Sequence, residues 1–343
     1  MNTSDHIFIT GGTGFLGSYI LRHLIAKGYQ RISAIKRKTS RTGLVADIYD
    51  KINWIEADLF DYHKLVESLQ EVDVVIHSAA VISFIKSDLK DMMKVNVEGT
   101  AHLVNACLEA GVKKYLQVSS IAAFGRTKEN PIITEESEFQ NTALDTGYGR
   151  SKYLAEQEVW RAGSEGLNVT IINPAMIMGA GYWDTGTAKL IDTVYQRLNY
   201  YPLGQSGFVD VRDVARMSVS MLENDVMQTR MVCVGENMLI QDMIGLICRA
   251  LDKKPPQIKL TPLLRAVAWR AEWLRARLTG TKQLITKETL GTSAQIFTFD
   301  NSKSRELLNF DYTPLTLTID QTCQAYKDTH NSEGGFGILP PLD

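Results

Sequence analysis

A glycine-rich turn near the N-terminus constrains the fold more than any other feature of the sequence. The turn reads T-G-G-T-G-F-L-G over residues 10–17 and joins a strand-like run at 6–10 to helically spaced apolar residues at 15–26. Without a Cβ, glycine lets the backbone turn sharply and approach a phosphate, and the N-terminus of the following helix offers free N–H groups to that anion. The spacing of Gly11, Gly14 and Gly17 is a variant of the G-x-G-x-x-G fingerprint. It predicts dinucleotide binding; the alternative is an ordinary structural turn.

Short β-branched runs alternate with helical patterns through the first half of the chain. Strands are predicted at 6–10, 31–36, 53–57, 72–77, 114–119 and 168–172, and helices at 15–26, 94–110 and 151–163. A helix at 211–223 and a strand at 230–234 return to the same sheet. Strands separated by helices imply right-handed crossovers and a parallel sheet covered on both faces. We therefore predict an α/β fold: a Rossmann-type doubly wound parallel sheet with a smaller, mostly helical C-terminal substrate lobe.

The regular alternation ends after Pro174, where glycines and aromatic residues become frequent. The predicted nucleotide-binding domain comprises 1–173 and 208–235, and the predicted substrate-binding lobe comprises 174–207 and 236–330. Residues 331–343 are predicted to form a flexible tail because they begin with small and polar residues.

Composition and charge exclude several classes of protein. The chain has 343 residues and a net charge of −2, and this absence of basic excess argues against a nucleic-acid partner. Four cysteines without a C-x-x-C pair indicate buried, reduced thiols. The N-terminus has no signal-peptide pattern and no apolar run is long enough to span a bilayer, so we expect a cytoplasmic protein without a membrane span. No metal site is predicted.

The end of the second predicted strand indicates which dinucleotide is bound. An NAD site places a carboxylate there for the ribose 2′-hydroxyl, whereas an NADP site places a cation for the 2′-phosphate. This sequence has Lys36, Arg37 and Lys38 there, with Arg41 behind them, and no acidic residue. Because Arg37 can grip a phosphate with two parallel hydrogen bonds, the sequence favours NADP(H). The alternative is a solvated basic turn.

A tyrosine and a lysine four residues apart form the core of the predicted catalytic group. On a helix, Tyr148 and Lys152 would share one face, and a nearby lysine cation would lower the pKa of the phenol. Ser120 follows a predicted strand, at the carboxyl end where ligands bind in open α/β sheets, and its hydroxyl can orient a substrate oxygen. The alternative is that Tyr148 and Lys152 are ordinary surface residues of a helix. His77, at the end of another strand, is predicted to be a packed histidine and not a catalyst.

These motifs together resemble the extended short-chain dehydrogenases/reductases, also called the NAD-dependent epimerase/dehydratase superfamily. The likeness covers roughly residues 5–235 and rests on T-G-G-T-G-F-L-G, D-L at 58–59, H-S-A-A at 77–80, N-V-E-G-T at 96–100, S-S-I-A-A-F-G at 119–125 and Y-G-R-S-K at 148–152. The resemblance implies that Ser120, Tyr148 and Lys152 are catalytic. It also implies that Asn96 is a structural support, that 173–175 pass beside the nicotinamide and that 208–215 close the substrate pocket.

Two sets of further residues follow from the turn, the strand ends and the resemblance. The predicted cofactor-binding residues are Gly11, Thr13, Gly14, Phe15, Leu16, Lys36, Arg37, Lys38, Asp58, Leu59, Ser78, Ala79, Ala80, Asn96, Val118, Tyr148, Lys152, Pro174, Ala175 and Ile177. The predicted substrate-pocket residues are Ser119, Met176, Met178, Tyr182, Trp183 and Phe208; the alternative for the apolar ones is lobe core.

Departures from the family patterns favour one branch of the family. Dehydratases have an Asp-Glu pair after the catalytic threonine, where this chain has Ile121-Ala122, and residues 172–181 lack the R-x-x-N-V-Y-G-P pattern of nucleotide-sugar epimerases. The sequence looks more like the dihydroflavonol-reductase and 3β-hydroxysteroid-dehydrogenase branches. We therefore expect an NADP(H)-dependent oxidoreductase that interconverts a carbonyl and a hydroxyl on a small hydrophobic substrate. The alternatives are an NAD-dependent nucleotide-sugar epimerase and a non-catalytic NADP(H)-binding redox sensor.

A basic amphipathic helix is predicted at 262–278. Leu263, Val267, Ala271, Leu274 and Leu278 form one apolar stripe, arginines flank it, and Trp269 and Trp273 share a second stripe. The prediction is a lobe helix that buries one face and cups the pocket, with a weak peripheral membrane contact as the alternative. The family resemblance also suggests a homodimer through the helices near 94–110 and 151–163.

Overall fold

The computed structural model describes residues 1–126, 131–140, 142, 145–279, 286–332 and 334–342. The strands are β1 (Ile7–Thr10), β2 (Ile32–Lys36), β3 (Asn53–Glu56), β4 (Val74–His77), β5 (Lys114–Val118), β6 (Ile132–Ile133), β7 (Asn168–Pro174), β8 (Met176–Met178), β9 (Tyr200–Tyr201), β10 (Gln205–Asp210), β11 (Thr229–Cys233), β12 (Glu236–Leu239), β13 (Ile258–Lys259) and β14 (Thr298–Phe299).

The α-helices are α1 (Phe15–Ala26), α2 (Tyr62–Ser68), α3 (Leu89–Met93), α4 (Gly99–Ala110), α5 (Gly147–Ser164), α6 (Ala188–Arg197), α7 (Val211–Glu223), α8 (Ile240–Ala250), α9 (Pro262–Thr279), α10 (Lys287–Thr292), α11 (Ser302–Leu308) and α12 (Leu315–Thr329). Short 3₁₀ segments lie at Gly43–Lys51, Lys86–Asp88 and Ile121–Ala123, and a π turn at Lys94–Glu98 joins α3 to α4.

Seven parallel strands form the central sheet, in the spatial order β3-β2-β1-β4-β5-β7-β11. The middle strands are continuous apolar runs because helices cover both faces, and every residue of β1 and β4 is buried. Two apolar cores lie on opposite sides of the sheet: one contains Ile7 and Ile9, the other Phe8, as the period of two requires. The predicted Rossmann-type α/β fold is confirmed.

The carboxyl ends of the central strands define one edge of the sheet. At this edge lie Thr10 of β1, His77 of β4, Val118 of β5 and Pro174 of β7, and the connections that follow these strands carry most of the predicted site residues. Because parallel strands point the same way, residues distant in the sequence meet here.

The second lobe is built around a small sheet of β8, β10 and β12. β10 runs parallel to β8, which pairs Phe208 with Met176, and antiparallel to β12. The helices α6, α8 and α12 contact one another beside this sheet. Asp210 is the N-cap of α7, and its side chain accepts a hydrogen bond from the Arg212 N–H at 2.7 Å. α7 packs against α1, which covers the main sheet.

Local boundaries differ from the sequence prediction at two informative places. α5 begins at Gly147 and not at 151, because the Thr146 hydroxyl caps the helix by accepting a hydrogen bond from the Gly149 N–H at 2.8 Å. β7 continues to Pro174, since its last residues pair with β11. Tyr148 and Lys152 therefore both lie inside α5, one turn apart.

Residues 334–342 pack against the body of the protein, which differs from the flexible tail that the sequence predicts. Leu339 is 3% exposed, and its N–H donates a hydrogen bond to the Tyr19 hydroxyl at 2.8 Å. Phe336 contacts Tyr182 edge-on, and the Pro340 carbonyl accepts from Arg212 Nη1 at 2.9 Å. These partners are distant in the sequence, so composition alone does not reveal them.

Candidate active site

The glycine-rich turn has the geometry that a phosphate cradle needs. Gly11 has a positive φ of 71°, and its carbonyl accepts a hydrogen bond from the Gly14 N–H at 2.9 Å, which closes the turn. Gly14 stands at the N-cap of α1 without any side-chain cap, so the first N–H groups of Phe15 and Leu16 have no side-chain acceptor there. A Cβ at Gly17 would overlap the carbonyl of Gly11. Free N–H groups at a helix N-terminus bind anions, so this turn fits the pyrophosphate of a dinucleotide.

The turn lies directly against the end of β4. A Cβ at Gly11 would lie only 2.6 Å from the backbone nitrogen of Ala79, so the two segments approach as closely as glycine permits. The Ala79 N–H donates to the Thr10 hydroxyl at 3.3 Å. Ser78 and Ala79 are half-buried and Ala80 is exposed, and these small side chains leave room above the sheet edge.

The basic cluster after β2 is on the surface. Arg37 and Lys38 are exposed and Lys36 is half-buried, while the Arg37 N–H donates to the Ser40 hydroxyl at 3.0 Å and closes a short turn. Arg41 is engaged elsewhere: it forms an ion pair with Asp184 at 2.9 Å and stacks on the Tyr182 ring at 3.6 Å. Arg37 and Lys38 are therefore the cations of this cluster that extend into solvent.

The predicted adenine-side residues follow β3. Asp58 is exposed and its carboxylate accepts a hydrogen bond from the Phe60 N–H at 3.1 Å, which shapes the loop. Leu59 is buried in the core below this loop. Asp58 therefore faces solvent, whereas Leu59 packs in the core.

His77 is a packed histidine, as the sequence predicts. Its Nδ1 bonds to the Thr10 hydroxyl at 2.5 Å, and its Nε2 bonds to the Thr100 hydroxyl at 3.2 Å. Complete burial, with a smaller effect from the Lys152 charge, lowers the pKa of His77 to about 3. The neutral ring links β1, β4 and α4 and holds the sheet edge together.

Ser120 and Tyr148 are in contact, although they come from different elements. Ser120 caps the 3₁₀ turn after β5, and its Oγ accepts from the Ala122 N–H at 3.1 Å. Burial raises the pKa of Tyr148 to about 12, and a hydrogen bond with the Ser120 side chain opposes that effect. The phenol is therefore protonated at neutral pH. The sequence predicts a lowered pKa for Tyr148, and the direction differs because burial outweighs the other effects.

Lys152 lies one helical turn after Tyr148, with its ammonium under the end of β5. Its Nζ donates to the Val118 carbonyl at 2.7 Å. Burial lowers the pKa of Lys152 to about 8, and the charge of Glu156 opposes that effect. At neutral pH the lysine therefore keeps most of its positive charge.

Asn96 supports the site from the π turn between α3 and α4. Its side chain exchanges two hydrogen bonds with the backbone of Val81, at 2.8 and 2.9 Å, and also donates to the Ser151 hydroxyl at 3.0 Å. Ser151 in turn donates to the Tyr148 carbonyl at 2.8 Å. Asn96 thus ties the loop after β4 to the helix that carries Tyr148.

A cavity of about 1000 Å³ opens beside the start of α5. Phe84 stands in its wall and contacts the Tyr148 ring edge-on, with the ring centroids 6.0 Å apart. The apolar part of the lining is Phe84, Ile85, Leu89, Met92, Trp269, Trp273 and Ala276. Charged groups stand at Lys86, Asp88, Asp145, Arg277, Lys287 and Glu288.

The apolar residues predicted for the substrate pocket do not line this cavity. Met178, Trp183 and Phe208 are buried in the core between the lobes, at 1%, 4% and 0% exposure. Met176 also packs against that core, and Tyr182 contacts Phe336. Apolar residues near a site in the sequence are equally suited to a core, and these residues pack in the core. Ser119 is buried next to Ser120. Pro174 is the last residue of β7, Ala175 follows it, and Ile177 lies in β8.

The cavity wall comes mostly from segments that lack a sequence motif. Phe84, Leu89 and Met92 belong to the connection after β4 and to α3, and the two tryptophans belong to α9. In the sequence, the second stripe of α9, with Trp269 and Trp273, was the pattern that indicated part of this cavity wall. The other stripe is not buried: Leu263, Val267, Leu274 and Leu278 are 50–77% exposed.

Residues 7–235 match the NAD dependent epimerase/dehydratase family, and the chain belongs to this family. A protein of Synechocystis sp. provisionally named dihydroflavonol 4-reductase is 29% identical over 315 residues, covering 88% of this chain and 88% of its own. A Monkeypox virus protein named 3 beta-hydroxysteroid dehydrogenase/Delta 5→4-isomerase is 36% identical over 172 residues, 49% of this chain and 48% of its own. The crystal structure of gox2253 superimposes with a TM-score of 0.81 at 29% identity, covering 95% of this chain and 98% of that one.

These relatives agree with the chemistry of the site. They carry the names of a reductase and a dehydrogenase, and the family is NAD(P)-dependent. The chain is accordingly an oxidoreductase that uses a nicotinamide dinucleotide. None of the helices in the described part of the chain combines the length and the apolar character that crossing a bilayer requires.

Proposed function

We propose that this protein is an NADP(H)-dependent oxidoreductase that interconverts a carbonyl and a hydroxyl on a small hydrophobic substrate. The observation that carries the proposal is the contact between Ser120 and Tyr148, with Lys152 one turn along α5, at the sheet edge that also carries the glycine-rich turn. When bound, the dinucleotide supplies or accepts the hydride.

Ser120, Tyr148 and Lys152 each have a role in the reaction. The Ser120 hydroxyl donates a hydrogen bond to the substrate oxygen, and Tyr148 Oη donates the proton that the same oxygen takes up in the reduction direction. The phenol of Tyr148 carries its proton at neutral pH, as an acid in the reduction direction requires. The Lys152 ammonium stabilises the phenolate that remains, and it would also hold the ribose of a bound cofactor.

The preference for NADP(H) rests on Arg37 and Lys38. Both extend into solvent next to the end of β2, where a ribose 2′-phosphate would lie, and the segment 36–46 contains no carboxylate to accept a 2′-hydroxyl. The glycine-rich turn would hold the pyrophosphate, and the ends of β4, β5 and β7 would hold the nicotinamide half.

The substrate class follows from the cavity beside α5. Its volume of about 1000 Å³ and the two tryptophans of α9 suit a molecule with several rings more than a sugar nucleotide. The names of the relatives, one for a dihydroflavonol and one for a 3β-hydroxysteroid, support the same class.

A panel of ketones, aldehydes and sterols, offered with NADPH or with NADH, tests this function. We expect consumption of NADPH with at least one hydrophobic carbonyl compound, followed by the absorbance of the reduced nicotinamide. Dinucleotide that copurifies as NAD, together with interconversion of UDP-sugars and no net consumption, would instead favour an epimerase. Binding of NADPH without turnover of any compound would favour a redox sensor.

We also propose a homodimer in the cytoplasm and a contact with lipid surfaces. The helices α4 and α5 pack side by side, so a second copy could extend them into a four-helix interface, which sedimentation of the purified protein tests. The exposed stripe of α9 is flanked by arginines and has the pattern of a helix that lies on an anionic membrane.

A further inference from the structure

A buried carboxylate lies one helical turn beyond Lys152. Glu156 has no exposed surface, and its two oxygens have different partners: Oε1 accepts from Asn173 Nδ2 at 2.6 Å, and Oε2 lies 3.3 Å from Arg230 Nη1. Carboxylates are rarely buried unless they are paired. Because the groups that face the carboxylate, Asn173 Nδ2 and Arg230 Nη1, are both donors, the pocket suits the ionised form of Glu156.

Asn173 connects this carboxylate to the loop of Ser120. The Nδ2 group that binds Glu156 also donates to the backbone carbonyl of Ser120, at 3.1 Å. Asn173 is itself fully buried near the end of β7, so its amide has few other orientations. The position of the Ser120 loop therefore depends on an amide that Glu156 holds in place.

The charge of Glu156 also acts on Lys152. Burial raises the pKa of Glu156, and the Arg230 charge and the Asn173 amide oppose that rise. In return, the carboxylate opposes the lowering of the Lys152 pKa that burial causes.

The other elements around this pair contribute charges of their own. β4 contributes His77, which stays neutral, and β11 contributes Arg230. Behind Arg230, the Lys303 ammonium donates to the Arg230 carbonyl at 3.1 Å, and the Glu135 carboxylate accepts from the Val232 N–H at 2.8 Å. Tyr148 lies on α5 itself and is protonated at neutral pH.

We propose that Glu156 is a positioning residue of the reductase site, which holds the Ser120 loop through Asn173 and stabilises the ammonium of Lys152 through its charge. The inference rests on the function proposed above for this site. If Glu156 served only as an ion-pair partner of Arg230, its removal would lower stability and leave the titration of Lys152 unchanged.

The test is Glu156→Gln, which keeps the shape of the side chain and one acceptor oxygen but removes the charge. In protein carrying ¹³C at lysine Cε, with the Lys152 signal assigned from Lys152→Arg, we expect the titration midpoint of Lys152 to fall by about one pH unit. A fall from about 8 to about 7 reduces the charged fraction about fivefold at pH 8 and about twofold at pH 7. The loss of kcat should therefore grow with pH in the same proportion.

Two further variants on α5 provide the controls. Glu158→Gln makes the same chemical change at a partly exposed residue that pairs with Arg161, and it should leave the Lys152 midpoint and kcat unchanged. Glu156→Asp keeps the charge and should bring the Lys152 midpoint back towards the wild-type value.

An unchanged Lys152 midpoint in folded Glu156→Gln protein overturns the inference. If that variant does not fold, Asn173→Ala decides: kcat should fall about tenfold or more through the displaced Ser120 loop, with the Lys152 midpoint unchanged, and a wild-type kcat overturns the inference. A shifted midpoint in protein that turns over no carbonyl compound supports the action of Glu156 on Lys152 and contradicts the proposed function, so the two failures are distinguishable.

Discussion

The side chain of Ser120 lies beside the phenol of Tyr148, which is 8% exposed and whose pKa burial raises to about 12. The two groups come from the connection after β5 and from the first turn of α5, which the Thr146 cap starts early enough to include the tyrosine. A protonated phenol next to a hydroxyl can present two donors to a single oxygen atom. That arrangement suits a carbonyl oxygen that gains negative charge during reduction.

Tyr148→Phe should abolish reduction and leave cofactor binding nearly intact. The variant removes the proton donor, and general acid catalysis of this kind contributes about 10²–10⁴-fold to a rate. The measurement is kcat with the best substrate of the panel, together with a titration of NADPH fluorescence. Tyr153→Phe is the matched control, because Tyr153 lies on the same helix but stacks on Phe139, and it should keep wild-type kcat. Wild-type turnover by Tyr148→Phe would remove the phenol from the mechanism.

Arg37→Ala should weaken NADPH binding and leave NADH binding unchanged. A hydrogen bond between charged groups contributes about 1.5–3 kcal/mol, which corresponds to about a 10- to 100-fold rise in the Kd for NADPH. Isothermal titration with both dinucleotides checks this. Arg31→Ala removes an exposed arginine just before the start of β2, at the opposite end of the strand, and should change neither affinity. If the wild-type protein binds NADH tenfold more tightly than NADPH, the assignment of the basic cluster is wrong.

Gly17→Ala should disrupt the cradle, because the new methyl group would overlap the carbonyl of Gly11. Forcing a methyl group into a packed site costs about 1–3 kcal/mol, and the displaced turn should also weaken NADPH binding by about tenfold or more. Gly245→Ala is the matched control: Gly245 lies in α8 with open space around its Cα, so alanine should stabilise the helix by about 0.5–1 kcal/mol. Urea unfolding and NADPH titration measure both effects, and equal behaviour of the two variants would contradict the close approach of Gly17 to Gly11.

Stability should fall in mild acid because His77 is held neutral. In the unfolded chain the imidazole takes up a proton near pH 6.5, whereas in the folded protein burial lowers its pKa to about 3. Between these values the unfolded state binds more protons, so the free energy of unfolding decreases as the pH falls, by about 1.4 kcal/mol per pH unit from this group. Urea unfolding measures this effect at pH 6.5 and at pH 5. The fall in the free energy of unfolding between the two should be about 1.6 kcal/mol smaller in His77→Gln than in the wild type.

The control for this pH effect is His63→Gln, at an exposed histidine of α2. It should retain the pH dependence of the wild type. A wild-type pH dependence in folded His77→Gln would show that the buried imidazole is not the group responsible.

The sequence predicts the features that depend on local pattern. The turn around Gly11, the strand that ends at His77 and α1 follow from spacing and glycine content over short windows, and parallel strands then gather their ends at one edge. The lowered pKa predicted for Tyr148 was wrong in direction, because burial is a property of the whole fold and not of a four-residue spacing. Composition alone does not distinguish the apolar residues that line the cavity from those that pack in the core.

Two tryptophans show why composition cannot identify the residues of the cavity wall. Trp183 and Trp273 are the same residue type but have different surroundings. The Trp183 ring is buried against Tyr326 of α12, whereas Trp273 lines the cavity. Glu156 carries no motif, and its contacts join α5 to β7 and β11. Such long-range relationships leave no periodic trace in a single sequence.

The exposed stripe of α9 should bring the protein to anionic lipid vesicles. Leu263 and Leu274 are 75% and 50% exposed, so Leu263→Glu together with Leu274→Glu removes apolar surface without disturbing the core. Burying a leucine side chain contributes about 1.5–3 kcal/mol, so the double variant should partition into phosphatidylserine vesicles about 100-fold less than the wild type in a sedimentation assay. Added salt should also weaken binding, since the flanking arginines act over a Debye length. Leu307→Glu, at an equally exposed leucine on α11, should bind like the wild type. Wild-type protein that stays in the supernatant at low salt would assign the stripe to some role other than lipid binding.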